Sequence, residues 1–330
     1  MGSATGFWSD RSVLVTGGCG FIGSHLVESL LEAGARVRVL DLYTSDSDLG
    51  HLTAVRDPGL EVLLGDVADS YFTRSALGGV DTVFHLAALI GIPYSYRAPA
   101  HYVRTNVEGT LAVLEGARGE GCRRLVHMST SETYGNARYS PMDEHHPTVA
   151  QSPYAATKAG ADQLVTSYWT SFGLPVAVCR AFNTFGPRQS LRAVIPTVLS
   201  QALYSDEIRV GSLSPVRDMN YVSDTVAGLL AVGSVQGIEG EVFNIGSGVG
   251  RSVAEMIDVI LTVTGVDKPV RSLDERVRPD RSEVAELIGD ISKATEVLGY
   301  RPTVSFELGI AAVRDYLIEH RPADPSLYHV

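Results

Sequence analysis

Tyr154 and Lys158 stand four residues apart in Tyr154-Ala155-Ala156-Thr157-Lys158, a spacing that puts both on one face of a helix beginning near Pro153. With three lysines (Lys158, Lys268, Lys293) against 14 tyrosines, such a pair is not expected by chance. A free phenol titrates near ~10, and a neighbouring ammonium stabilises the phenolate, which makes the tyrosine a usable base near neutral pH. A surface pair without a role is the plain alternative. Upstream, Ser129-Thr130-Ser131-Glu132 lies at the C-terminal end of an expected strand, the edge where open α/β sheets take ligands. Thr130 can donate a hydrogen bond to a ligand oxygen. Glu132 reads equally as a general base or a loop carboxylate.

A second constellation opens the chain. A short apolar run leads into Gly17-Gly18-Cys19-Gly20-Phe21-Ile22-Gly23, a G-x-x-G-x-x-G turn ahead of a helical pattern. The free N–H groups and positive dipole end of such a helix suit a pyrophosphate, and glycines let the backbone approach it. Asp41, 18 residues beyond Gly23, ends the second expected strand, where a carboxylate accepts both ribose hydroxyls and repels a 2′-phosphate, so NAD is expected over NADP. Gly65-Asp66-Val67 and His85-Leu86-Ala87-Ala88 end the third and fourth strands, in reach of the same cofactor or as strand-end packing. Asp143-Glu144-His145-His146 invites a metal reading, but adjacent residues do not converge on one face, and no metal is expected. Cys19 reads as a small space-filler.

These groups need a scaffold. Apolar, β-branched runs recur at 13–15, 37–40, 62–64, 82–84, 125–128 and 176–179, each the pattern of a buried parallel strand, with helical patterns at 24–33, 105–116 and 153–172 between them. The alternation predicts an α/β fold, a doubly wound parallel (Rossmann) sheet. Beyond residue 183 the rhythm loosens into helices near 195–203, 253–264 and 306–319 and a strand at 242–245, a smaller α+β lobe. The expected division is 1–180 for the NAD-binding domain, with part of 217–248 returning to it, and 181–330 for the substrate lobe.

Composition limits what the scaffold serves. In 330 residues, 45 % hydrophobic and 20 % charged, the formal net charge is −11, which argues against nucleic acid or an anionic membrane as partner. Three cysteines without C-x-x-C spacing argue against a disulfide framework and for a reducing compartment, the cytoplasm. Neither a leader-like apolar segment nor a span of about 18 apolar residues is evident.

Across nearly its whole length the chain resembles the extended short-chain dehydrogenase/reductases, in the branch of nucleotide-sugar epimerases and dehydratases. The carriers are VTGGCGFIGSHL, GDV, HLAA, NVEGT from Asn106, STSETYG, YAATK, RAFNTFGPRQ, RDMNYVSD, FNIGSG and RPDRSE, in the family's order. The resemblance implies that Gly17, Gly20, Phe21, Ile22, Gly23, Asp41, Asp66, Val67, Leu86, Ala87, Ala88, Asn106, Tyr154 and Lys158 serve NAD. It makes Tyr154 the acid/base, with Lys158, Thr130, Ser129 and Glu132 beside it. Thr130, Ser131, Asn183, Arg192, Val194, Arg217 and Arg278 would hold the substrate, with Asn183 and the guanidiniums of Arg217 and Arg278 matching the nucleotide diphosphate. The family also implies a homodimer; Leu164, Val165, Tyr168 and Trp169 on helix 153–172 could form its face or belong to the core.

The implied first step is oxidation of the sugar at C4. An epimerase then returns the hydrogen to the other face, whereas a 4,6-dehydratase removes the C5 proton and expels water from C6, work for which Glu132 is available. Arg192 tips the expectation. Facing C6, it would pair with a carboxylate there and stabilise a 4-keto uronate against loss of carbon dioxide. A surface arginine or a phosphate partner is the plain alternative. UDP-glucuronate 4-epimerisation is therefore expected, with a 4,6- or 5,6-dehydratase of UDP-N-acetylglucosamine or a related hexose as the alternative.

Overall fold

A computed structural model describes residues 5–42, 49–273, 279 and 282–324. Its strands are β1 Ser12–Thr16, β2 Arg36–Asp41, β3 Leu60–Leu64, β4 Thr82–His85, β5 Arg124–Thr130, β6 Val176–Ala181, β7 Asn183–Phe185, β8 Ile208–Val210, β9 Val216–Tyr221, β10 Val242–Ile245, β11 Gly250–Ser252, β12 Val270–Ser272 and β13 Glu286–Leu287. Seven form one sheet in the order β10-β6-β5-β4-β1-β2-β3, every pairing parallel. The apolar runs become strands because both faces of the sheet are covered: all six residues of β6 and all four of β4 are buried. On one face Trp8, Leu26, Leu30, Phe84, Leu229 and Phe243 form the core; on the other, Leu14, Leu77, Val83, Leu114, Leu125 and Val165 do so. Each such side chain contributes roughly 1.5–3 kcal/mol on burial.

The strand order reverses between β1 and β4, and the C-terminal ends of both open towards the Gly-rich turn, Tyr154 and Thr130. Residues 242–245 form the far edge of this sheet, alongside β6.

The remaining strands are short. β9 is flanked by β11 (antiparallel), β13 and β7 (both parallel), and β8 pairs with β12. Helices Val194–Tyr204, Val253–Thr264 and Phe306–Glu319 enclose a third core around Ile195, Leu199, Met256, Ile260, Ile310 and Leu317. Two expected helices are redrawn. The first starts at Phe21, directly after Gly20, and the pattern at 105–116 becomes a helical run from Pro99 to Glu120 with a wide π turn at Val103–Glu108. That turn carries Asn106.

Candidate active site

The Gly-rich turn is built by close approach. Gly17 has φ +74° and a Cβ there would lie 2.9 Å from Ala87 N; one on Gly23 would lie 2.1 Å from the Gly17 carbonyl oxygen. Nothing larger than glycine lets helix Phe21–Glu32 start against the end of β1. Its N-cap, Gly20, brings no side chain to the first N–H groups, which leaves the helix end open to an anion. Asp41 ends β2 beside the turn: Cys19 N donates to its Oδ2 (2.7 Å) and Leu42 N to its Oδ1 (2.8 Å), while burial pushes its carboxyl up. The glycine cradle, the uncapped helix and this acid fit a dinucleotide.

Thr16, at the end of β1, shares a hydrogen bond with His85 Nδ1 (2.7 Å) and accepts one from Ala87 N (3.1 Å), while His85 Nε2 meets Thr110 Oγ1 (3.0 Å). His85 thus anchors the segment with Leu86, Ala87 and Ala88 over the turn. Asn106 continues the tether: its amide accepts from Leu89 N (2.8 Å) and donates to Leu89 O and Thr157 Oγ1 (both 3.0 Å), which links that segment to the helix of Tyr154. Asp66 accepts from Ala68 N (2.9 Å) and pairs with Arg104 (3.0 Å); Val67 is buried.

Helix Pro153–Phe172 is delimited by its sequence. Pro153 opens it, the Ser152 hydroxyl accepts from Ala155 N (3.1 Å), and Gly173 closes it at φ 67°. Tyr154 and Lys158 lie on its buried face, and Lys158 Nζ donates to Met128 O of β5 (2.7 Å). Burial pushes the Tyr154 phenol well above its ordinary value, a hydrogen bond with Thr130 opposes this, and Glu132, Tyr102 and Asp162 add to the rise. Burial pulls Lys158 down to about 8, and Asp162 opposes it. The lowered phenol expected from the Tyr–Lys spacing is thus not found, because burial first, and then Glu132, Tyr102 and Asp162, push it the other way.

Successive residues of β5 face opposite ways. Thr130 meets Tyr154, whereas Ser129 turns into the core and donates to Asp162 Oδ2 (2.7 Å), so the structure does not bring Ser129 to the reacting side. The Ser131 hydroxyl is fully buried and has no hydrogen-bond partner among the described residues. Glu132, mostly buried on the turn Ser131–Thr133, places its charge on Tyr154.

Across the cleft, Asn183 begins β7 and Val194 begins its helix, both half-buried. Arg217 on β9 pairs with Glu283 (3.2 Å). Arg192 is exposed, and its charge acts on the Tyr102 hydroxyl, whose ring meets Tyr154 edge-on at 6.3 Å. Arg278 lies outside the described residues. The loop carrying Arg192 is anchored: Arg188, at φ 72°, makes two 2.8 Å hydrogen bonds to Glu28 of the nucleotide-facing helix and one of 3.1 Å to Ser24 Oγ. Asp143, Glu144 and His146 bind Tyr139, Asn244 N and Arg138 N respectively, three separate directions. Tyr102, Asp162, Arg180 and His127 are the site's additions to the sequence reading. Asp162 alone had a visible signal, one helical turn past Lys158.

No helix among the described residues is long and apolar enough to cross a membrane. Fold and site together define an enzyme of the NAD-dependent nucleotide-sugar epimerase/dehydratase class. Residues 14–313 match the family model described as GDP-mannose 4,6 dehydratase, and the chain belongs to that family. It is 36 % identical to a dTDP-glucose 4,6-dehydratase of Streptomyces antibioticus over 96 % of this chain and 97 % of that one. Among solved structures it resembles DesIV, a dTDP-glucose 4,6-dehydratase from Streptomyces venezuelae with NAD and TYD bound (TM-score 0.88, 32 % identity, 94 % of this chain and 98 % of that one). It also resembles a UDP-glucuronic acid 4-epimerase mutant from Bacillus cereus with NAD and a fluorinated substrate analogue (TM-score 0.87, 28 % identity, 94 % and 100 %).

Proposed function

We propose that this chain is an NAD-dependent 4-epimerase of a UDP-sugar, converting UDP-glucuronate to UDP-galacturonate through a 4-keto intermediate. The observation that carries the reading is the cation at Arg192, whose field reaches Tyr102 and hence the neighbourhood of Tyr154. NAD, when bound, would supply a hydride acceptor and donor for C4 and a positively charged ring near the phenol. The turn Gly17–Gly23, Asp41, Asp66 and the 86–88 segment hold it.

Tyr154 takes the proton of the 4-hydroxyl while Thr130 holds that oxygen and Lys158 supplies positive charge. After the 4-keto sugar turns over, Tyr154 returns the proton. Arg192 grips the C6 carboxylate, and a cation there opposes decarboxylation because that step disperses the charge it binds. Asn183, Val194, Arg217 and Arg278 take the nucleotide end. The substrate lobe is 181–330 against a cofactor domain of 1–180, with part of 217–248 returning to it. A homodimer in the cytoplasm is the expected setting.

A 4,6-dehydratase is the second reading, favoured by Glu132 beside Tyr154 and by the dTDP-glucose dehydratases among the relatives. Proton NMR decides between them. UDP-glucuronate, UDP-glucose, UDP-N-acetylglucosamine and dTDP-glucose are each followed with purified protein. UDP-galacturonate formed without added NAD, and lost in Arg192→Ala, is the expected result. A 4-keto-6-deoxy product from a neutral sugar, with UDP-glucuronate inert, overturns it.

A further inference from the structure

Beneath the reacting pair lies a cluster of charge that the oxidation step does not itself use. Tyr154, Lys158 and Asp162 follow one another at four-residue intervals down the buried face of one helix. Asp162 accepts from Ser129 Oγ on β5 (2.7 Å) and Arg180 Nη2 on β6 (2.8 Å), and lies 3.4 Å from His127 Nε2 on β5. Asp162, these three partners and Lys158 are all buried. Other titratable groups facing this helix are Glu132 on the following turn, Tyr102 beside Tyr154, and Glu115, which engages Tyr168 further along. His127 is pulled down to about 4 and His85, 5.4 Å away ring to ring, well below its ordinary value, so both are neutral at working pH. The charge around Asp162 is therefore two buried cations, Lys158 and Arg180, with Glu132, the other buried carboxylate facing this helix, acting on Tyr154.

We propose that Asp162 is a positioning residue for the oxidation step: anchored by Ser129 and Arg180, it balances one of the two buried cations so that Lys158 remains an ammonium behind Tyr154. Arg180 serves Asp162 and competes with Lys158 for it. Two buried cations without this carboxylate would repel each other, and of the two only lysine readily sheds its proton. The arrangement therefore couples the charge of Lys158 to Ser129 and Arg180, side chains to which the proposed oxidation assigns no contact with the sugar.

This inference rests on the proposed function only for the Tyr154–Lys158 pair, and its test needs no turnover. The NAD holoenzyme is labelled with ¹³C at the lysine ε-carbon; the chain has three lysines, and Lys158→Met assigns the signal. In Asp162→Asn the Lys158 midpoint should fall by about one pH unit or more. The alkaline limb of kcat should fall with it, on whichever of UDP-glucuronate and dTDP-glucose reacts, while KM stays near the parent value. Asp162→Glu should restore the midpoint. Arg180→Gln should raise it, because Asp162 then faces Lys158 alone. Should Asp162→Asn not fold, Arg180→Gln decides by its sign. An unmoved midpoint in a folded, NAD-retaining Asp162→Asn overturns the proposal, as does a fall in Arg180→Gln. Inertness towards both sugars would strike the proposed function and leave this titration intact.

Discussion

Tyr154 sits where burial, Glu132, Tyr102 and Asp162 all resist its ionisation. In the proposed reaction it can therefore take a proton only when positive charge is close. Tyr154→Phe removes the acceptor but not the hydrophobic contact with Ile92 and Tyr102. Its kcat should fall about a thousandfold while the protein still copurifies with NAD. Quantifying cofactor in the purified variant and following reduced nicotinamide in a single turnover checks both halves; unchanged kcat removes Tyr154 from the chemistry. Much of this residue-level picture was legible, since the Tyr–Lys spacing and the glycine turn are local in sequence. The direction of the Tyr154 shift was not, because it is set first by burial and then by Glu132 and Tyr102, which the fold brings to it from other elements. Ser129 shows the same limit: adjacent to Thr130 in sequence, it faces the opposite side of the sheet.

At the level of elements, the glycine turn and the β4–β5 pair each carry a consequence. A Cβ on Gly23 would press on backbone, the Gly17 carbonyl at 2.1 Å, so no side-chain rotation relieves it. Gly23→Ala should lower bound NAD on the order of tenfold, measured as cofactor per chain after purification. The facing His85 and His127 bear on acid stability. Both are neutral when folded, with His127 down to about 4, whereas in the unfolded chain each titrates near ~6.5. The unfolded chain then binds more protons across that interval, so stability falls as pH drops through it. Tm should be lower near about pH 5 than near about pH 7.5, and His127→Gln should narrow the gap. The main strands were readable because burial on both faces writes continuous apolar runs. The short strands β7, β8, β11, β12 and β13 have two or three residues each, too few to show a period, and the π turn at Val103–Glu108 preserves a helical pattern that gives no sign of its extra width.

At the scale of the whole molecule, the loop that presents Arg192 does not hang freely between lobes. Arg188, held at a positive φ that a side chain rarely adopts, is pinned by Glu28 on the helix that faces the cofactor. His25 of that helix also reaches the Pro187 carbonyl at 3.1 Å. Glu28→Gln should weaken UDP binding several-fold, by calorimetry, with no change at Tyr154 and little change in Tm. The consequence is one of linkage: a ligand that steadies one side of the clamp steadies the other, and the factor is the same in both directions. If NAD tightens UDP binding, UDP must tighten NAD binding by the same factor. A catalyst that restores its cofactor on every cycle would then keep hold of it most firmly while it is working.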